Sequence, residues 1–284
     1  MSAEGKLVLI ATPIGNLGDL SPRAEAELRA ADVIAAEDTR RTRALLSHAG
    51  IRAGGRLRAV HAHNERQRAA ELVQEIRRGR RVAFATDAGT PGISDPGERL
   101  VRVCLEAGLA VEAVPGPSAV LAALVVSGLP TDRFVFEGFL PRRGSDRAAR
   151  LEALAAEPRT TVCFEAPVRL RETLNALGSA CGPDRRVAVA RELTKLHEEV
   201  WRGTLGDAAE HFSEIEPRGE QVIVIGGAPA GAAIVDDEAV STALRLAIER
   251  GASARDAAAA VAAELRVPKR RAYQLAVAVR DGGR

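Results

Sequence analysis

Two short segments gather side chains able to take or give a proton. Glu37, Asp38 and Arg40 lie in Ala36-Glu37-Asp38-Thr39-Arg40, and His61, His63 and Glu65 in His61-Ala62-His63-Asn64-Glu65. Paired carboxylates beside an arginine, or an imidazole beside a carboxylate, suit general acid–base work near neutral pH. His-x-His on a strand sends both rings to one face, as a metal site requires, yet no third or fourth ligand is spaced to complete one. No metal is expected; proton transfer or a substrate hydrogen bond is favoured, with structural histidines as the plain alternative.

Three loops suit close approach of the backbone to a ligand. Thr12-Pro13-Ile14-Gly15-Asn16-Leu17-Gly18-Asp19 matches neither G-x-G-x-x-G nor G-x-x-x-x-G-K-[ST], so dinucleotide and P-loop readings lack support. Thr86 to Gly97 holds three glycines, two prolines and two carboxylates, more than a strand-to-helix connection requires. Its amides, carbonyls, threonines and carboxylates suit a ligand with a ribose and an amino-acid end. Val114-Pro115-Gly116-Pro117-Ser118-Ala119 stiffens a turn or a domain hinge. Charges also gather in Cys163–Arg169 and Ala190–Lys195, where carboxylates that merely satisfy Arg169 and Arg191 are the simpler reading.

Periodicity supplies the elements that hold these loops. Strands are predicted at Lys6–Ala11, Asp32–Ala36, Leu57–Val60, Arg81–Thr86 and Ala110–Val114. Helices are predicted from Pro22 with Ser21 as cap, and over Thr39–His48, 65–78 and 97–107. This alternation predicts a mostly parallel sheet covered on both faces, with ligands at the strand ends. A second unit adds helices at 118–127, 145–156 and 168–180. Its strands are predicted at Arg133–Glu137, Thr160–Glu165, Arg185–Ala190, Val200–Thr204 and Gln221–Ile225. Ala228 to Ala233 reads as a linker, and helices at 238–250, 253–264 and 268–280 look like a helix-turn-helix tail. The expected organisation is α/β, with units at 1–115 and 116–230 and a linker with a helical tail at 231–284.

Composition narrows the class. The 284 residues hold 40 Lys+Arg, of which only Lys6, Lys195 and Lys269 are lysines, against 38 Asp+Glu, and 46% apolar residues suffice for packed cores. Residues 236–284 carry nine basic and seven acidic side chains, so the first 235 residues balance at 31 of each. A chain dominated by phosphate neutralisation would carry more; this one reads as a neutral body with a slightly basic tail. Cys104, Cys163 and Cys181, odd in number and without C-x-x-C spacing, predict free thiols in a reducing compartment. No apolar stretch approaches the ~20 residues of a membrane helix, so a cytoplasmic protein is expected.

Residues 12–23 (TPIGNLGDLSPR), 36–40 (AEDTR), 61–65 (HAHNE), 87–97 (DAGTPGISDPG), 115–119 (PGPSA), 137–141 (EGFLP), 164–169 (FEAPVR) and 190–195 (ARELTK) occur in the order seen in one family. Over residues 6–227, and in a small helical tail, the chain closely resembles the methyltransferase I family of small-subunit ribosomal RNA enzymes. That family is a branch of the tetrapyrrole methylase superfamily, the class III methyltransferases. The resemblance implies a two-domain tetrapyrrole-methylase-like fold with S-adenosylmethionine in the cleft between the α/β domains. It also implies 2′-O-methylation of a cytidine ribose in 16S rRNA, at the decoding centre of the small subunit. AEDTR, HAHNE and ARELTK set the RNA enzymes apart from porphyrin and corrin C-methylases, which are the alternative; a catalytically silent RNA-binding homologue is the third reading. Phe164 stands where Tyr is common and Val168 where His is common, which removes a polar contact from that strand end.

Position by position, the resemblance implies donor contacts from Pro13, from Gly89, Thr90, Ile93 and Ser94, and from Ser118 and Ala119. It adds Phe164 beside the adenine, and Ala190, Arg191, Glu192, Gln221 and Val222. Methyl transfer to a hydroxyl needs an in-line approach and a group that takes the proton. Glu37, Asp38, His63 and Glu65 are candidates for that base, the Glu37–Asp38 pair with Arg40 is preferred, and Lys195 can lower the hydroxyl pKa. RNA contacts are expected from Arg142 and Arg143, with Arg147 and Arg150 beyond, and from Lys269, Arg270 and Arg271. One Trp, one Tyr and six Phe are too few for extensive base stacking, so recognition should rest on shape and backbone. A homodimer is also implied.

Overall fold

Strand-like runs and helix-period segments fold into two sheets and a helical tail in the computed structural model, which describes residues 5–61, 64–229, 237–265, 267 and 269–281. The first sheet contains β1 (Lys6–Ile10), β2 (Val33–Ala36), β3 (Leu57–Ala59), β4 (Arg81–Ala85) and β5 (Ala110–Val114). Its order is β3-β2-β4-β1-β5 and every pair is parallel. The connecting helices are α1 (Pro22–Ala30), α2 (Thr39–His48), α3 (Glu65–Arg77) and α4 (Glu98–Glu106). Alternation along β1 sends Leu7 to one face, where it packs with Leu72, Ile76, Phe84 and Leu100. Val8 and Ile10 point to the other, with Leu28, Ile34 and Leu46. Each such burial is worth about 1.5–3 kcal/mol. Ser21 caps α1, its side chain accepting from Ala24 N at 3.1 Å, and Pro22 fills the first helical position.

The second unit runs α5 (Ala119–Val126), β6 (Phe134–Phe139), α6 (Ser145–Ala156), β7 (Thr160–Glu165), α7 (Leu170–Cys181), β8 (Arg186–Arg191), β9 (Glu199–Thr204), α8 (Leu205–Glu214) and β10 (Gln221–Ile225). Its order is β6-β7-β10-β8-β9, and only β6–β7 is parallel. The parallel expectation thus holds for the first sheet, and the second is mostly antiparallel. Residues 192–198 are too few for a crossover, so β8 and β9 form a hairpin. Sequence periodicity also misses α8. Its signal is the T-x-x-D start: Thr204 Oγ1 accepts from Asp207 N at 3.2 Å, and Asp207 Oδ2 accepts from Thr204 N at 3.0 Å.

One face of this sheet packs on α6, α7 and α8 through Cys163, Ile223, Val187 and Val189. At the end of β7 the buried Glu165 accepts from Arg169 Nε at 2.7 Å and from Thr173 Oγ1 at 2.6 Å, so that charged segment is a structural ion pair. The other face carries Val162, Ala188, Ala190, Val222 and Val224, which cluster with Val120, Ala123 and Leu124 of α5 and with Ile14 from the loop after β1. An apolar cluster therefore ties the first loop to the second sheet.

In the tail, α9 (Asp237–Glu249), α10 (Ala254–Glu264) and α11 (Lys269–Asp281) share a core of Val240, Leu244, Val261, Ala272 and Ala276. Arg271 Nη2 donates to Asp237 Oδ1 at 2.6 Å, joining α11 to α9. Residues 230–233 of the predicted 228–233 linker lie outside the described residues. Among the described residues, no helix is long and apolar enough to cross a membrane.

Candidate active site

The chain leaves β1 toward β2 and leaves β4 toward β5, in opposite directions along the sheet, so the winding reverses between β1 and β4. Open parallel sheets bind ligands beyond the carboxyl ends of such a strand pair. The loops that emerge there, 11–21 and 86–97, are the first two glycine-rich loops of the sequence. They form one piece. Thr12 N donates to Gly89 O at 2.9 Å, Gly89 N to Thr12 O at 3.0 Å, and Thr12 Oγ1 to Thr86 O at 3.2 Å.

The β8–β9 turn stands opposite. Among the described residues, the non-glycines with φ in the left-handed region are Ser94 (61°), Glu192 (49°) and Thr194 (66°), and all three belong to these walls. Each such conformation costs about 1–3 kcal/mol and persists only where its surroundings impose it. Asn16 N donates to Thr194 Oγ1 at 3.1 Å. A Cβ on Gly15 would lie 2.4 Å from Lys195 Cγ, so the first loop passes this turn only as glycine. Lys195 Nζ donates to Glu192 Oε1 at 2.9 Å and to Glu220 Oε2 at 3.0 Å. Partial burial opposes its charge, but these two hydrogen bonds outweigh that and hold the ammonium pKa above the ordinary lysine value. Lys195 is thus a fixed cation in a latch.

The residues carried over as donor contacts divide into two groups. Pro13, Gly89, Thr90, Ile93 and Ser94 lie on the joined loops. Ser118 caps α5 by accepting from Leu121 N at 3.4 Å, Ala119 opens that helix, and Glu192 sits in the opposing turn. Phe164, Val222 and Ala190 are register neighbours on the face that meets Ile14 and α5. The Phe164 ring lies 5.0 Å from Phe136, edge to face, and 5.6 Å from Phe139. Gln221 and Arg191 fall on the opposite parity, the side of Ile223 and Val189, so their side chains do not share this face. Arg191 Nη1 instead donates to Glu199 Oε2 at 3.1 Å, and Gln221 Nε2 to Arg218 O at 2.8 Å.

Beside this wall opens a cleft of about 420 Å³ lined by Glu37, Glu65, Ser94, Asp95, Gly97 and Arg99. Burial, and then the charges of Glu37, Asp87 and Glu220, push the Asp95 carboxyl up to about 7. Burial, and then the Asp87 charge, also raise Glu37 above the usual carboxylate range. Glu65 Oε1 accepts from Gly97 N at 3.1 Å, which fastens α3 to the loop.

Asp38 behaves differently from its neighbour. It is the N-cap of α2, accepts from Arg40 N at 2.8 Å and from the Arg40 guanidinium at 2.7 and 3.1 Å, and is held well below the usual carboxylate range by those bonds. The preferred pair therefore splits: Glu37 lines the cleft, whereas Asp38 and Arg40 are engaged with each other at a helix start. His63 lies outside the described residues. Sequence reasoning misses Asp95, hidden in a Pro/Gly turn. A carboxyl near 7 is matched to accept a proton at neutral pH.

Arg142 and Arg143 are exposed, and neither makes an ion pair among the described residues. Arg147 is 8% exposed and donates to Pro141 O and Thr173 Oγ1, and Arg150 pairs with Glu137 at 2.9 Å, so the basic helix offers less free charge than its sequence suggests. Lys269 and Arg270 open α11, and Arg271 is bound to Asp237.

Residues 6–209 match the family model of the Tetrapyrrole (Corrin/Porphyrin) Methylases. The chain is 46% identical over 280 residues to Ribosomal RNA small subunit methyltransferase I of Synechocystis sp., covering 98% of this chain and all of that protein. It is 51% identical over 230 residues to the protein of that name from Xylella fastidiosa, covering 80% of this chain and 84% of the relative. A solved uroporphyrin-III-C-methyltransferase from Thermus thermophilus superposes with a TM-score of 0.56 at 23% identity, over 78% of this chain and 94% of that one. The order of the loops, the reversal at β1 and β4, and these relationships together place the chain in the tetrapyrrole methylase family, among the ribosomal RNA small subunit methyltransferase I proteins.

Proposed function

We propose that the chain uses S-adenosylmethionine to methylate the ribose 2′-oxygen of a cytidine in the 16S rRNA of the small ribosomal subunit, at the decoding centre. One observation carries the reading: a loop wall assembled at the winding reversal stands beside a cleft lined by Glu37, Glu65 and Asp95, where burial and neighbouring charges push the Asp95 carboxyl up to about 7. Relatives of the same name, matched over most or all of their length, support RNA over a tetrapyrrole as substrate class.

The residues present fit the methyl donor. Loop amides and carbonyls at 89–94 suit its amino-acid and ribose groups, and the half-buried Phe164 ring suits a flat adenine. When bound, S-adenosylmethionine supplies an electrophilic methyl group on a sulfonium. The Thr12–Gly89 bridge keeps the two loops from separating, and the Lys195–Glu192–Glu220 latch fixes the opposing turn. Asp95 takes the 2′-hydroxyl proton, and burial, then the neighbouring Glu37 charge, keep its pKa high enough to do so. Arg142 and Arg143 supply phosphate contacts.

A second copy of the chain fits the exposed stripe of α5, where Leu121 is 52% and Val125 69% exposed on a helix without charge. The free thiols of Cys104, Cys163 and Cys181 suit the cytoplasm. Light scattering should give a dimer mass, and a monomer at working concentration contradicts that part. For the activity, pure protein is incubated with labelled donor and small subunits from a strain lacking the enzyme, beside a porphyrin precursor. Label in the subunit rRNA is expected; label in the precursor alone overturns the reading.

A further inference from the structure

A second pocket, of about 200 Å³, lies between the Pro13 loop and α2. Thr86 lines it, is 2% exposed, and keeps a buried Oγ1 with no hydrogen-bond partner among the described residues. An unpaired buried hydroxyl costs about 1–3 kcal/mol, so folding alone gives no reason for it. Asp87 and Arg41 line the same space, with Asp87 Oδ2 3.6 Å from Arg41 Nε. Leu17 and Leu45 provide apolar walls.

A hydroxyl, a carboxylate and a guanidinium around apolar walls match a flat ring whose edge carries an amine beside acceptors. Asp38 N donates to Asp87 Oδ1 at 2.9 Å, and the residue before Asp38, Glu37, lines the acidic cleft. A nucleoside whose base enters this pocket can therefore send its ribose toward Glu37 and Asp95. Enzymes that modify a single nucleotide in structured nucleic acid commonly take it out of the stack and read its Watson–Crick edge.

We propose that the Thr86–Asp87–Arg41 pocket receives the flipped-out pyrimidine of the acceptor nucleotide, Asp87 accepting from its exocyclic amine and Thr86 and Arg41 donating to its ring acceptors. The proposal rests on the methyltransferase reading above and adds the part of the site that selects the base.

Two variants test it. Thr86→Val removes the unpaired hydroxyl and keeps the shape; Ala44→Phe, at an exposed position of α2 on the pocket rim, fills the space. Each is assayed on small subunits carrying cytidine or uridine at the target, with donor affinity by calorimetry and melting temperature measured in parallel. Thr86→Val should lose about tenfold in kcat/KM on the cytidine subunit and narrow the preference over uridine. Ala44→Phe should be nearly inactive on both and melt as wild type, Thr86→Val should melt above wild type because the unpaired buried hydroxyl is gone, and both should keep wild-type donor affinity. Wild-type rates and base preference in both variants overturn the proposal. So does a loss of donor affinity equal to the loss of rate, which would assign the pocket to the donor. Failure of the wild type itself to transfer a methyl group overturns the parent reading and this proposal together, and is told apart by the wild-type lane.

Discussion

Thr12 and Gly89 exchange both of their backbone hydrogen bonds, at 2.9 and 3.0 Å, across loops that leave neighbouring strands. The bridge requires Gly89 at φ 79°, a conformation that costs a residue with a Cβ about 1–2 kcal/mol. Gly89→Ala should lower stability by about that amount in a denaturant titration and weaken donor binding several-fold in calorimetry. Lost stability with unchanged donor affinity would contradict a shared role of the two loops.

A carboxyl at about 7 gives a signed pH dependence. Turnover should rise with pH and level off above about 7, because only ionised Asp95 accepts a proton. The folded value lies above the ordinary 3.8, so between about 4 and about 7 the native state holds a proton that the unfolded chain has lost. This contribution to stability is present at low pH and disappears as pH rises through about 7. Asp95→Asn should therefore be inactive yet more stable than wild type at pH 8. An active Asn variant, or a flat pH–rate profile, would remove Asp95 from the mechanism.

Asp38 is assigned a different task. Asp38→Asn, which still caps a helix, should keep most of the turnover, and Asp38→Ala should lose about 1 kcal/mol of stability with the cap. Inactivity of a stable, donor-binding Asn variant would restore Asp38 as the base.

Arg142 and Arg143 are exposed and lack ion pairs among the described residues, whereas Arg147 is buried in hydrogen bonds. Replacing Arg142 or Arg143 by Ala should weaken subunit binding and reduce the slope of log affinity against log salt by about 1 each, with donor affinity unchanged. Arg147→Ala should lower the melting temperature instead. An unchanged salt slope in the double Arg142/Arg143 variant would move the RNA surface elsewhere.

Much of the fold was legible because local signals agreed with the tertiary arrangement. Ser21-Pro22 starts α1 where capping rules place it, and the apolar runs became the buried strands of a parallel sheet. The strand directions of the second sheet were not legible, because they are set by connection length and by β10 entering between β7 and β8, which no local pattern records. The loops around the site were visible as glycine-rich segments too long for simple turns. Their division of labour was not, because Glu37 and Asp38 look alike in sequence. Contacts with Arg40 on one side and burial beside Asp87 on the other separate them. Asp95 gains its pKa first from burial and then from the charges of Glu37, Asp87 and Glu220, which come together only in the folded chain.

The position and chemistry of the transferred methyl group test the proposed activity most directly. Small subunits from a strain lacking the enzyme are treated with wild-type protein or Asp95→Asn and S-adenosylmethionine, and the digested 16S rRNA is mapped by mass spectrometry. A single 2′-O-methylcytidine at the decoding centre, present with wild type and absent with the variant, is the predicted result. A methyl group on a base, on another nucleotide, or equally abundant with Asp95→Asn would contradict it.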